Sequence, residues 1–560
     1  MKSTLKPMLA LTLGALVSAC SSGSSTNTPA EDASVLMRTG QLVNPAAYIP
    51  SQCYTKTEDA QGKVHNPCYS CHIPSTAPNY LDDGDLQLAY TFPTPALENH
   101  WTNLFKDRSA EFAKISDDAI LSYVRQDNYL NADGSIKIAE KLTKVPAAWD
   151  ADNNGRWDGF VPDLYMRFDQ EGFDHDLTGA HTGWRAFAYY PFLGTFWPTN
   201  GSTDDVLIRL SAPFRETESG SFNLVVYKTN LAIVEAMITR RDVAIEATDE
   251  QALGVDLDKS GSLGQASLVK YDWAPTEDRN MSYVGRARVL QSEGKLHLAA
   301  GLFPEGTEFI HSVRYIDVND QGSIRLAKRM KELRYAVKRS WYTYADLRQM
   351  ALDEIKEADV FPERLRQITG SAEVGLSNGQ GWTYQSFIED AQGDLRPQTY
   401  EENVFCIGCH SGVGATTDGN FSFARKLGED APQRGWYHWT QHGMEGLDEP
   451  IRSDDQPEYA YYLQQNGAGD EFRENDEVRA KFFDTDGALK ADAVAQLRDD
   501  VTYLFPSRER ALALNKAYKV IVEEQSYIYG RDATVKPAAN VHQSVEDGQP
   551  TGVTTVIAGP

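Results

Sequence analysis

Phe309-Ile-His-Ser-Val-Arg-Tyr-Ile316 is rich in aromatic and β-branched residues and reads as a β-strand. Asp205-Val-Leu-Ile-Arg-Leu210 and Phe222-Asn-Leu-Val-Val-Tyr227 share its texture. Gly, Pro and Asp turns separate such runs from about Leu142 to Gln398. A helical pattern also occurs there, at Tyr344 to Ala358, with Leu347, Met350, Ala351 and Ile355 on one face. This middle region is expected to be α+β.

On either side of it stand Cys68-Tyr-Ser-Cys71-His72 and Cys406-Ile-Gly-Cys409-His410. Both read C-x-x-C-H, the attachment pattern of c-type haem. Two thiols about one helical turn apart reach the two vinyl groups on one haem edge, and the next histidine supplies the proximal iron ligand. With 6 Cys and 11 His in 560 residues, chance produces one such pentapeptide in roughly one chain per thousand. A redox dithiol or half a zinc site is the bland alternative, and neither requires the adjoining histidine twice.

Aligning the two motifs without gaps places His100-Trp101-Thr102 on His438-Trp439-Thr440. The two segments therefore read as related haem modules, and His100 and His438 as candidates for the distal iron positions, against the alternative that they pack beside aromatic residues. His442 and Met444 compete with His438 but do not repeat, and His65 is too near Cys68 to swing over the opposite haem face. Two imidazoles on one iron close its coordination sphere and favour electron transfer. An open position would permit peroxide, oxygen or sulfur-compound chemistry. Trp101, Trp436, Tyr437 and Trp439 are expected to wall the macrocycles.

The chain starts with a short basic segment, Met1 to Lys6, and an apolar run from Pro7 to Val17, then Val17-Ser-Ala-Cys20. This is a secretory signal, too short to span a membrane as a mature helix. Its end resembles a bacterial lipobox. That resemblance implies cleavage before Cys20, lipidation of Cys20 and, with Ser21 following rather than Asp, sorting to the outer membrane. Ser21 to Ser34 reads as a flexible tether. The net charge of −26 excludes binding of nucleic acid or an anionic membrane surface through bulk charge. It suits a solvated acidic surface or steering towards a basic partner. Cys53 is the one cysteine left over, open to roles as a buried thiol, a distal ligand or a reactive thiol.

Two loops suggest calcium. Asp150-x-Asp152-x-Asn154-Gly155-x-x-Asp158 is similar to an EF-hand loop but carries Val161 at the twelfth position, where Asp163 is a possible substitute. Asp256-x-Asp258-x-Ser260-Gly261 is a half-match. The alternative for both is an Asx-rich turn without an ion. His175 and His181 are too weakly patterned to assign.

As a whole the chain resembles a di-haem bacterial c-type cytochrome lipoprotein, on the signal end and the two pentapeptides. The expected organisation is α+β, with two mainly helical haem modules flanking a mixed, β-containing central region. Its parts are a signal peptide (1–19), a tether (20–38), an N-terminal haem module (39–141), the central region (142–398), a C-terminal haem module (399–530) and a disordered tail (531–560). Two covalently bound haem c groups are expected, with Cys68, Cys71, Cys406 and Cys409 holding them and His72 and His410 proximal. The leading reading is an electron carrier serving redox partner proteins. A haem-dependent oxidoreductase, with one open haem and the central region as substrate domain, is the second. A surface scaffold is the third.

Overall fold

The computed structural model describes residues 42–192, 198–467 and 475–559. The signal peptide, Cys20 and the tether lie outside the described residues. Within them the strands are β1 (Ala89–Tyr90), β2 (Phe173–His175), β3 (His181–Phe187), β4 (Thr203–Asp204), β5 (Val206–Arg209), β6 (Val243–Asp249) and β7 (Gln265–Val269). They continue with β8 (Glu308–Val318), β9 (Ile324–Lys338), β10 (Gly370–Ser371), β11 (Gly375–Ser377), β12 (Trp382–Glu389), β13 (Leu395–Pro397) and β14 (Gln549–Pro550).

Ten of these make one antiparallel sheet in the order β10-β11-β12-β9-β8-β5-β3-β2, with β13 on β12 and β4 on β8. The hairpin β8–β9 is its spine, turned by Asn319 to Gly322, where Gly322 takes φ +87° at no steric cost. Side chains alternate across the sheet. Leu207, Ile310, Leu333, Tyr335 and Phe387 face a core closed by Trp149, Trp157 and Trp184. Phe309, Ala336, Trp382 and Tyr384 belong to the larger core, which also contains the helix Leu224–Thr239 and Val404, Cys406 and Ile407 of the helix Tyr400–Cys409.

This architecture corrects the expected one. In place of two mainly helical modules flanking a mixed centre, a large antiparallel sheet is the centre. The helix Tyr400–Cys409 packs directly on it, Cys406 Sγ lying 3.9 Å from Ser386 Oγ of β12. The first motif has no helical module of its own. Its Tyr69 is buried with Tyr459, Leu463, Phe482 and Leu497 from far along the chain. The short helices described within 39–141 (Ser109–Phe112, Asp117–Val124, Lys137–Leu142) are too brief to stand without such packing.

Two local readings also change. Phe222 to Tyr227 is not a strand: Asn223 Oδ1 accepts the Val226 N–H and caps the helix Leu224–Thr239. Twelve of that helix's residues are buried, so it shows no polar face by which an apolar run is told from a strand. The tail is ordered from Ala533 to Gly559. β14 pairs with β1, Val541 bridges Thr55, and the Ile557 carbonyl accepts from Gln87 Nε2 at 2.7 Å. It is a strap across the N-terminal segment, and its lack of periodicity reflects extended pairing rather than disorder. The helix Tyr344–Val360 stands where expected, and Ser116 caps a further helix at Asp117–Val124.

Candidate functional site

Each C-x-x-C-H forms a helical turn. In the first, His72 N–H donates to the Cys68 carbonyl at 2.9 Å; in the second, His410 N–H donates to that of Cys406 at 3.0 Å. Both thiols of a motif therefore lie on one edge of the turn, with the histidine following. The turns are held differently. Cys68–Ser70 is a short 3₁₀ segment. Cys406 and Cys409 end the helix Tyr400–Cys409, whose N-terminus carries a capping box between Thr399 and Glu402. A buried bidentate pair, Arg396 to Glu402 at 2.8 Å for both contacts, secures that end. Buried amides hold both histidine carbonyls: Gln87 Nε2 bonds that of His72 at 2.6 Å and Asn378 Nδ2 that of His410 at 2.9 Å.

The imidazoles suit metal ligation. Burial lowers both pKa values to about 4, so the rings are neutral at physiological pH. For His410 the charges of His311 and Arg334 add to the effect, while the Gly419 carbonyl opposes it. His410 Nδ1 lies 2.7 Å from that carbonyl, which fixes Nδ1 as the protonated nitrogen and leaves Nε2 as the ligand. Gly419 sits in the turn Thr417-Asp418-Gly419-Asn420. Both central residues have positive φ, +48° and +74°, as a type I′ turn requires. Asp418 is tied to Lys338 at 2.6 Å, a pair 2% and 1% exposed beneath Trp382. His72 Nδ1 is buried with no hydrogen-bond partner. The carbonyl contact that fixes the His410 ring therefore has no counterpart at His72 among the described residues.

The fold joins the first motif and the chain after it to the segment that follows the second motif. Ala415 N–H donates to the Cys71 carbonyl at 3.2 Å, and Asn79 Nδ2 bonds the Val413 carbonyl. Gly414 N–H donates to Asp83 at 2.8 Å. Burial, with help from Glu354 and Asp82, pushes the Asp83 carboxyl up to about 7 against that hydrogen bond.

The expected distal histidines are engaged elsewhere. His438 Nε2 lies 2.8 Å from Asp205 Oδ2 and its Nδ1 2.7 Å from Thr440 Oγ1, with the ring stacked on Phe168. Burial alone would raise the Asp205 pKa; the bond and charge of His438, with Arg314, hold it well below the usual carboxylate range. Withdrawing His438 would strip a buried carboxylate of its main partner. His100 Nε2 bonds the Pro95 carbonyl at 2.9 Å, and Trp101 meets Phe405 of the second motif's helix edge-on at 5.6 Å. Trp436 packs against Phe187 and Phe423 in the main core, and Tyr437 and Trp439 pack on each other. His65 bonds Asp59 at 2.8 Å, and Cys53 is partly buried against the main core.

Sequence reasoning passed over His311. It pairs with Arg334 on β9, and Arg334 with Ser386 on β12, the residue that touches Cys406. Two strand spacings put His311 about 10 Å from Ser386 along that row. Its Nδ1 is 3.7 Å from Asp204 Oδ2. The nearness of His311 to His410 appears only when β8, β9 and β12 are laid side by side. The Asp418-Gly419 turn had a readable signal, Asp-Gly between short flanks.

Both suspected calcium loops gain a buried glutamate, Glu373 from far along the chain and Glu250 from six residues before Asp256. Asp150 and Asp152 gather with Glu373, and Asp256 and Asp258 with Glu250. Glu373 accepts from the Ala151 and Asp158 N–H groups at 2.9 and 3.0 Å, and Glu250 from Leu257 and Gly264. Asn154 and Ser260 donate their N–H groups back into the loops, and Asn154 Nδ2 bonds Asp158. Asp163 is not the missing ligand, being bound to Trp184 and Arg209.

The model of a family described as a “-like lipoprotein” matches residues 37–499. An uncharacterised lipoprotein of Aquifex aeolicus is 31% identical over 572 residues, covering 91% of this chain and 90% of the relative. No solved structure matches the chain. No helix among the described residues is long and apolar enough to cross a membrane.

Proposed function

The chain belongs to that lipoprotein family, and on this premise we propose that it is a di-haem c-type cytochrome, tethered through Cys20 to the outer membrane, that transfers single electrons between redox partners. Haem c supplies one-electron chemistry when bound. The observation that carries the reading is two C-x-x-C-H turns, each with a neutral imidazole, the first hydrogen-bonded through its backbone to the segment that follows the second. Cys68 and Cys71 hold one group and Cys406 and Cys409 the other. His72 and His410 are proximal. His311, oriented by Asp204, is the distal residue of the second site. The acidic loops hold structural calcium.

An oxidoreductase is the second reading, because the sheet brings His311, Arg334 and Asp204 to the second motif, as an open reactive centre would require. One survey separates the two. Purified exported protein should carry the added mass of two porphyrins and give low-spin optical and EPR signals that cyanide leaves unchanged. His311→Gly should turn one haem high-spin, and His438→Gly should change neither. Absence of porphyrin mass would end both haem readings. Haem with spectra unaltered in His311→Gly would end only the ligand assignment, and a native high-spin signal that takes up cyanide would select the oxidoreductase.

A further inference from the structure

The hairpin β2–β3 gathers a second set of metal-binding atoms. His175 and His181 are cross-strand partners, with ring centroids 4.3 Å apart. Asp169, at the start of the turn into β2, completes the group: one ligand atom from each of the three lies within 4.8 Å of the others. Asp169 is pre-set. Its Oδ1 accepts the N–H groups of Glu171 and Phe173 at 2.9 and 3.0 Å, while Oδ2 faces His175 Nε2 at 3.9 Å. His181 is pre-set as well, stacked on Phe222 at 5.4 Å and met edge-on by Phe173 at 5.6 Å. Its Nδ1 is buried and has no hydrogen-bond partner, a condition that costs free energy unless something supplies one.

We propose that Asp169, His175 and His181 bind a divalent transition ion of the zinc class, separate from both haem motifs. Two imidazoles and a carboxylate are the donor set such ions take with an open position left for water or substrate. Tetrahedral ligands at about 2.0–2.2 Å from the metal stand about 3.4 Å apart, so modest side-chain rotation closes the set. A magnesium or calcium ion, preferring oxygen, would not select this set.

The experiment is calorimetric titration of zinc chloride into the full exported protein, with calcium in excess to occupy the acidic loops. One equivalent should bind. His175→Ala and His181→Ala should each weaken it by about 100-fold or more, on the scale at which ligand-sphere changes act, with the haem absorption unchanged. Cobalt(II) in place of zinc should give visible bands of a nitrogen–oxygen site that vanish in both variants. Zinc binding of equal affinity in wild type and both variants, or none, would overturn the proposal. Asp169→Asn keeps the turn's acceptor and should also weaken binding, which guards against misfolding of the histidine variants.

Discussion

The Ala415 amide donates to the Cys71 carbonyl across 3.2 Å, joining the first C-x-x-C-H turn to the segment five residues beyond His410. This contact is packed without slack: a Cβ on Gly414 would come within 2.4 Å of the Ile73 carbonyl oxygen. Gly414→Ala should therefore push the segments that follow the two motifs apart and lower stability by about 1–3 kcal/mol, the usual cost of overpacking. Gly428, with nothing within 4 Å, is the control, and Gly428→Ala should be near neutral. Denaturant midpoints compare the two.

The turn that orients His410 rests on a buried ion pair. Asp418→Asn leaves Lys338, 1% exposed, without its counter-charge, and should destabilise by about 3–5 kcal/mol. Adding Lys338→Met should recover most of that, because the uncompensated charge is then gone. A double variant as unstable as the single one would show that the turn, not the charge, matters.

Asp83 should make the protein pH-sensitive near neutrality. Its folded pKa, about 7, lies above the ordinary carboxylate value. The folded state thus holds a proton that the unfolded state has lost, so its contribution is full below about pH 4 and disappears as pH rises through 7. Asp83→Asn lacks this loss. The variant should gain on wild type from pH 4 to 8, by no more than about 4 kcal/mol at 1.36 kcal/mol per unit. Reduction potentials measured over the same range should fall with pH in wild type, and more weakly in the variant.

Chelation tests the acidic loops. Removing calcium should lower the unfolding temperature, and restoring it at a hundredfold excess over the dissociation constant should return about 2.7 kcal/mol per site. Glu373→Gln should reduce the increment, since that buried carboxylate joins Asp150 and Asp152. An unfolding temperature indifferent to calcium would make these plain Asx turns.

Local patterns carried the local facts. The C-x-x-C-H spacing implies a single helical turn, and the hydrogen bonds from His72 to Cys68 and from His410 to Cys406 are that turn. The spacing of Leu347, Met350, Ala351 and Ile355 marked a helix, and Tyr344–Val360 is that helix, begun by a Thr343 cap that satisfies an amide three residues on. Phe309 to Ile316 read as a strand and lies within one.

Only the tertiary structure decided what those pieces meet. Aligning the two motifs paired His100 with His438, yet one bonds the Pro95 carbonyl and the other bonds Asp205. His311 reaches the second motif through three strands joined edge to edge, and Glu373 reaches the Asp150 loop from far along the chain. Hydrogen bonds between strands and the burial of charge select such partners over long chain separations. No spacing rule in one dimension encodes them.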